Sequence, residues 1–227
     1  MEGTQNQSPM EAAPHQSPME ATPHQTTMDK KAWRIMMRTL FASVSPQERR
    51  AFSEAICGML SGPVPGEPEG RMLAAFQPRI DEPDIRTFTA SWLARGGRLC
   101  LPVCLADADG NPVLEFREIR DPDTDLQLST YGLYEPVEGT PVVPYGAIRI
   151  ILVPGSAFDR TGGRLGRGKG YYDRFLATCP HAETIAPVFP WQIVDQVPME
   201  AHDFRIEWLA TADGMIRCGG AGIRIEV

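Results

Sequence analysis

IRIILVPGSAFDRTGGRLGRGKGYYDRF, residues 148–175, joins an apolar run to a glycine-rich loop and then to a helical pattern. Ile148 to Val153 is interrupted only by Arg149. A short run of that kind suits a strand covered on both faces, as in the middle of a parallel sheet. Tyr171 to Thr178 reads as the helix that follows. Upstream, Arg71–Phe76, Leu99–Cys104 and Val113–Ile119 read as strands. Downstream, so do Glu183–Phe189, Ile206–Ala210 and Ile223–Val227. Three helices precede them. From Asp29, the residues Trp33, Met36, Met37, Leu40, Phe41 and Val44 share one face, and Lys30, Arg34 and Arg38 line another. Ser45-Pro46-Gln47-Glu48 has capping-box spacing and opens a second helix through Phe52, Ile56 and Leu60, which stops at Gly62-Pro63. Asp84 to Arg95 carries Ile85, Phe88 and Trp92 on one face and closes at Gly96-Gly97. Strands alternating with helices predict a single α/β domain over residues 29–227. Its sheet is mostly parallel and flanked by helices on both faces, a Rossmann-like three-layer architecture. Loops at the carboxyl ends of such strands are where ligands bind.

The 227 residues hold 22 Lys and Arg against 29 Asp and Glu, a net charge of −7. That balance argues against a general binder of nucleic acid or anionic membrane, both of which need a basic footprint. No apolar run approaches the ~20 residues that span a bilayer, and the first residues lack the basic and apolar regions of a secretory signal. Five Cys without pairing-like spacing fit reduced thiols, and a cytoplasmic location is expected. Cys100 and Cys104 have no second pair to complete a zinc site and read as small core residues of a strand.

Against this acidic background, Asp159 to Arg174 stands out. Arg160, Arg164, Arg167, Lys169 and Arg174 face only Asp159 and Asp173, a local net charge of +3. Six of the chain's 21 Gly lie between Gly155 and Gly170. Glycines let backbone N–H groups approach an anion and the cations neutralise it, so phosphate binding is the direct inference. The bland alternative is an exposed glycine loop with solvated charges. A Walker A loop does not fit, because Gly170 follows Lys169 where Ser or Thr is needed. The spacing Gly166-x-Gly168-x-Gly170 also misses the dinucleotide fingerprint.

The run FDRTGGRLGRGKGYYDRFL closely resembles the signature of the 5-formyltetrahydrofolate cyclo-ligases, or methenyltetrahydrofolate synthetases. The resemblance extends from about Lys30 to Ala212. It implies an ATP- and Mg²⁺-dependent ligase that converts 5-formyltetrahydrofolate, with or without a polyglutamate tail, to 5,10-methenyltetrahydrofolate. ADP and phosphate would be released, and the chain would act as a monomer.

Carried over residue by residue, the segment Arg164 to Tyr172 matches the nucleotide loop. Arg164, Gly166, Arg167, Gly168, Lys169, Gly170, Tyr171 and Tyr172 would bind ATP, and Arg167, Lys169 and Tyr171 would be catalytic. Lys30 and Arg34 match a Lys-x-x-x-Arg pair that reaches ATP from the first helix; by spacing alone they read equally as a solvated basic face. Asp173 resembles a magnesium ligand, and Asp203 matches a second acidic position for the metal, or else is a turn residue. Gln77, Glu82, Tyr131, Arg167 and Tyr171 would contact the folate. For Glu82 a carboxylate at a helix N-terminus competes, and Asp81, one residue away, leaves the register open; Tyr131 and Tyr134 could each be a packed surface ring. Around Glu82 the chain departs from the family: Arg79 and Ile80 replace residues that are usually small or uncharged, and Pro83 follows. A folate- or nucleotide-binding regulatory homologue without turnover is therefore the second reading, and RNA contact through the basic loop is a third with little support.

Residues 1–28 differ from the rest. QSPMEAAPH (Gln7–His15) is followed at once by QSPMEATPH (Gln16–His24), with four Pro and no Lys or Arg across the segment. Such a stretch buries too little apolar surface to offset its ordering entropy, so disorder is expected. Met28 opens the ordered pattern and is the expected true start. Mass spectrometry of the natural protein checks this: an N-terminal peptide beginning at Met28 is expected, and one that retains Met1 counts against it.

Overall fold

The computed structural model describes residues 28–129, 132–200, 203–219 and 224–225. The repeat of Gln7–His24 and its expected disorder lie outside them, as do Tyr131 and His202. The chain opens with α1 (Lys30–Ser43) and α2 (Pro46–Leu60), then β1 (Met72–Ala74), α3 (Arg86–Ala94), β2 (Arg98–Ala106) and β3 (Pro112–Ile119). A hairpin of β4 (Leu126–Leu128) and β5 (Tyr134–Pro136) precedes β6 (Ile148–Leu152), β7 (Ala157–Asp159), β8 (Arg164–Leu165) and α4 (Tyr171–Ala177). The last elements are β9 (Glu183–Pro187), β10 (Ile193–Val194), β11 (Trp208–Thr211), β12 (Gly214–Arg217) and β13 (Arg224–Ile225).

Eight strands form one sheet in the order β13-β12-β11-β9-β6-β1-β2-β3. The five from β11 to β2 are parallel, and antiparallel strands close both edges. The mostly parallel sheet read from the sequence is therefore present, with the Ile148 run near its centre. Alternate residues feed two cores. Met72, Ala74, Ile148 and Ile151 pack with Phe116 and with Phe175 and Leu176 of α4. Leu73, Ala75, Ile150 and Leu152 pack on the other side with Ile56 and Leu60 of α2 and with Phe88 and Trp92 of α3. Helices thus cover both faces, α3 in the crossover from β1 to β2 and α4 in the crossover from β6 to β9. Those crossovers run to opposite sides of β1. The strand order reverses between β1 and β6, and ligands of open α/β sheets bind in the crevice at such a point.

Local signals match their elements. Ser45 caps α2 in a reciprocal capping box with Glu48, and Pro46 takes the first helical position. The third helix is shorter than its pattern, Arg86–Ala94 rather than Asp84–Arg95. Asp84 instead spends its carboxylate on Arg86, accepting from the side chain and the backbone N–H. The first helix departs further from expectation, since Leu40 is exposed and only Met37 is buried. It packs not on the main sheet but in a small cluster with Ala157, Leu165 and Val197.

The glycine-rich stretch, read as plain loop, contains β7 and β8, which pair with β10 in a second, three-stranded sheet. Strands of two and three residues flanked by glycines carry no periodicity that a sequence reading could detect. Buried Asp159 ends β7 and holds this sheet together. It accepts from the Thr161 N–H and hydroxyl, from the Gly163 N–H and from the Val197 N–H 38 residues away. Gly162 turns at φ +90°, and a side chain there would run into the Ile206 carbonyl. Among the described residues no helix is long and apolar enough to cross a membrane.

Burial opposes ionisation of Asp159, but the Thr161, Val197 and Gly163 donors outweigh it and hold the carboxyl below its ordinary value. Free carboxyls of this type titrate near ~3.9. The stabilisation is therefore complete above that pH and is lost as pH falls through the lower folded value. Asp159→Ala, which strands several buried donors, is expected to cost about 3 kcal/mol, or roughly 6–12 °C in Tm. Thermal melts from pH 7 down to acid check both points: the gap between wild type and variant should close as the pH drops.

Candidate functional site

At the carboxyl ends of β1, β2 and β6 lies a cavity of about 430 Å³. Phe76, Gln77, Arg79 and Glu82 come from the segment after β1, Pro102 and Cys104 from β2, and Pro154 and Gly155 from just after β6. The glycine loop supplies Arg164, Gly166, Arg167, Lys169 and Gly170, and α4 supplies Tyr171, Tyr172 and Asp173. Leu114, Leu133 and Tyr134 add apolar surface to the lining. A mostly apolar cleft with a few convergent polar groups is the usual form of a small-molecule site.

Ten of the residues singled out in the sequence therefore meet here: Gln77, Glu82, Arg164, Gly166, Arg167, Lys169, Gly170, Tyr171, Tyr172 and Asp173. Gly168 turns the loop at φ +98°, and its α-carbon faces Arg34, whose guanidinium a side chain would meet at 3.3 Å. Arg34 in turn donates from Nε to the Gly166 carbonyl at 2.8 Å. One turn earlier on α1, Lys30 pairs with Asp203 at 2.6 Å and with Glu200 at 2.8 Å. Burial works against the Lys30 charge, but the two carboxylates outweigh it and raise its pKa. Both α1 cations thus lie against protein rather than on a solvated face. Asp203 does not line the cavity.

Arg167 reaches across the crevice. Its Nε and one terminal nitrogen donate to Glu82 Oε1 at 3.2 and 2.8 Å, and its terminal nitrogens donate to the two Asp81 oxygens at 3.0 and 2.8 Å. Burial alone would favour a neutral guanidinium; the two carboxylates reverse that and hold it charged. Asp81 is pushed below its ordinary value because Arg167 outweighs its burial. For Glu82, burial wins over Arg167 and the pKa rises. The Glu82 side chain is only 4% exposed, and its second oxygen accepts the Arg79 N–H at 2.9 Å. It is a pocket carboxylate, not a helix-terminal one.

Arg164 is also buried, with 3% of its side chain exposed, and binds Asp173 at 2.5 Å and the Pro154 carbonyl at 3.2 Å. Its Nε and the Tyr172 hydroxyl are buried without partners. Burial drives the Tyr172 phenol strongly upward, so it stays protonated. Helix α4 has seven residues and opens directly after Gly170, which turns at φ +72°. No three His, Cys, Asp or Glu among the described residues converge as a ready metal cage. Three carboxylates line the cavity: Glu82 is taken up by Arg167 and the Arg79 N–H, Glu135 comes from β5, and Asp173 comes from α4 beside the glycine loop. One carboxylate completed by phosphate oxygens and water is a normal Mg²⁺ arrangement, so the residues fit that ion only together with a phosphate ligand.

Asp81, the neighbouring alternative to Glu82, shares the site with it and carries half of the Arg167 contact. Sequence reading missed one group. Cys104, read as a core residue, is instead exposed and lines the cavity, because β2 runs past the edge of the core there. The Tyr131 assignment lies outside the described residues, while Tyr134 does reach the cavity.

Comparison with known proteins gives a consistent result. The model of the 5-formyltetrahydrofolate cyclo-ligase family matches residues 26–212. A Mycolicibacterium smegmatis protein named 5-formyltetrahydrofolate cyclo-ligase is 37% identical over 172 residues, covering 74% of this chain and 86% of that one. The Mus musculus protein of the same name is 38% identical over 90 residues, 36% of this chain and 44% of the mouse chain. The NMR structure of Aquifex aeolicus 5,10-methenyltetrahydrofolate synthetase superposes with a TM-score of 0.72 at 28% identity, covering 88% of this chain and 97% of that one.

The five thiols differ in access: Cys57, Cys100 and Cys179 are buried, and burial pushes the half-exposed Cys218 up to about 12. Cys104 is raised less, by burial and by Glu135. Peptide mapping after brief alkylation should find Cys104 modified first, faster as the pH rises. Filling the cavity should protect it.

Proposed function

The chain belongs to the 5-formyltetrahydrofolate cyclo-ligase family, and from that premise we propose that it closes 5-formyltetrahydrofolate to 5,10-methenyltetrahydrofolate at the expense of ATP. The observation that carries this reading is the Arg167–Glu82 contact, which joins the cationic glycine loop to the wall of an apolar cavity across the sheet's crevice.

The chemistry explains why both halves are needed. A formamide carbon is a poor electrophile because the nitrogen lone pair feeds the carbonyl, and its oxygen is a poor leaving group. In the proposed reaction the formyl oxygen attacks the γ-phosphorus of ATP, the bond to the β-phosphate oxygen breaks, and ADP leaves. The formyl oxygen now carries phosphate. Nitrogen 10 attacks the formyl carbon and closes the five-membered ring. The carbon–oxygen bond then breaks and inorganic phosphate departs with its electron pair, while nitrogen 10 loses its proton.

Such a reaction depends on positioning and on stabilising charge spread over phosphate oxygens. Arg167 and Lys169 supply positive charge at the cavity, and the Gly166–Gly170 backbone permits close approach. Arg34 braces the loop from α1, and Lys30 ties the same helix to Glu200 and Asp203. Asp173 is the side chain that would hold Mg²⁺ beside the phosphates, where the ion neutralises their charge when bound. Glu82, Gln77 and the Tyr134 side of the cavity face the folate, with Tyr171 near the reacting groups. Asp203 does not line the cavity, and Lys30 and the Glu200 N–H both bond to its Oδ2, so we assign it to bracing α1 rather than to the metal.

Purified protein supplied with Mg-ATP and 5-formyltetrahydrofolate should develop the near-ultraviolet absorbance of the methenyl product. Folate binding without any absorbance change would favour the regulatory homologue. Arg167→Ala and Asp173→Asn should each lower turnover by roughly 10²-fold or more, whereas exposed Arg120→Ala should stay within about twofold of wild type. Equal rates in all three would refute the site.

A further inference from the structure

A second, smaller cavity of about 150 Å³ adjoins the first, and Arg167 lines both. Around the smaller one stand Arg34, Arg38 and Arg167 with Ser156, and Asp81 is the sole carboxylate among its described lining residues. Three cations about so small a space make an anion site, and the anion now within it is the chain's own Asp81.

The two carboxylates on Arg167 are not equivalent. Glu82 is 4% exposed and anchored a second time by the Arg79 N–H, whereas the Asp81 side chain is 25% exposed. Asp81 takes the guanidinium end-on, one oxygen to each terminal nitrogen, at 2.8 and 3.0 Å. A phosphoryl group presents the same pair of oxygens to the same fork. Removing Asp81 would leave Arg167 tethered by Glu82 through Nε and one terminal nitrogen. The guanidinium would stay in place with its outer edge open.

We propose that Asp81 is a positioning residue that stands in for the phosphoryl group. It holds Arg167 at the boundary between the two cavities until the terminal phosphoryl group of the nucleotide takes over its two donors. The exchange makes and breaks no covalent bond: one anion replaces another on a fixed fork, and the displaced carboxylate turns to water. The inference rests on the ATP-dependent reading above and adds that nucleotide must compete with an internal carboxylate, while the folate side, held by Glu82, does not. If Asp81 served only to stiffen the loop, its loss would weaken both substrates together.

The test uses the full chain. A non-hydrolysable ATP analogue with Mg²⁺ is titrated calorimetrically into wild type, Asp81→Asn, Asp81→Ser and Asp81→Glu, and KM is measured for ATP and for 5-formyltetrahydrofolate. Both variants lacking the carboxylate should bind the analogue roughly five- to twentyfold more tightly, the scale of one displaced charge-assisted contact. KM for ATP should fall in step, with KM for folate unchanged, and Asp81→Glu should return to wild-type affinity. Unchanged or weaker analogue binding in either Asp81→Asn or Asp81→Ser overturns the proposal, as does a parallel rise of both KM values. Wild type that turns over while Asp81→Asn fails to tighten overturns this inference alone. Wild type that neither binds the analogue nor forms product overturns the underlying reading as well.

Discussion

The reversal of strand order between β1 and β6 governs this molecule. Chain leaving β1 crosses by α3 to one side, and chain leaving β6 crosses by α4 to the other, so the two loops at their carboxyl ends part and cannot fill the gap. Into that gap the β1 loop sends Asp81 and Glu82, and the β6 loop sends Arg167. A buried charge is costly unless paired, and pairing across the crevice binds the loops without closing it. The cavity is what remains on either side of that contact.

Around it the chain handles its concentrated positive charge by a common device. Arg164 takes Asp173, Arg167 takes Asp81 and Glu82, and Lys30 takes Asp203 and Glu200. A net charge of −7 is thus no obstacle to a cationic site, since five of the 29 Asp and Glu pair with these three cations. Among the buried side-chain atoms of the described residues, the Tyr172 hydroxyl and the Arg164 Nε are left without a partner. Both residues line the cavity.

Much of the fold could be read from local pattern. The Ile148 run announced a strand covered on both faces, and it lies with Ile148, Ile150, Ile151 and Leu152 all fully buried. Ser45 to Glu48 announced the start of α2, because a cap depends on neighbours three residues apart. What escaped depends on distance along the chain. Asp81 and Arg167 are 86 residues apart, and Asp159 bonds to Val197 across 38. Neither partner carries a local sign of the other. The cationic loop could be found because its glycines and charges are contiguous, yet which carboxylates it would meet could not. Cys104 shows the same limit: its strand was legible, but not the point where that strand leaves the core.

Helix α1 has a different standing from the rest of the fold. It buries one residue fully and otherwise holds on through Lys30, Arg34 and a small apolar cluster shared with the second sheet. An element so lightly buried opens at a lower free energy than the main sheet, as a cooperative unit of its own. Arg34 bonds the glycine loop directly, so opening of the helix removes one of the contacts that fix that loop. The order of the amino-terminal end of the domain thus bears on a site some 130 residues further along the chain.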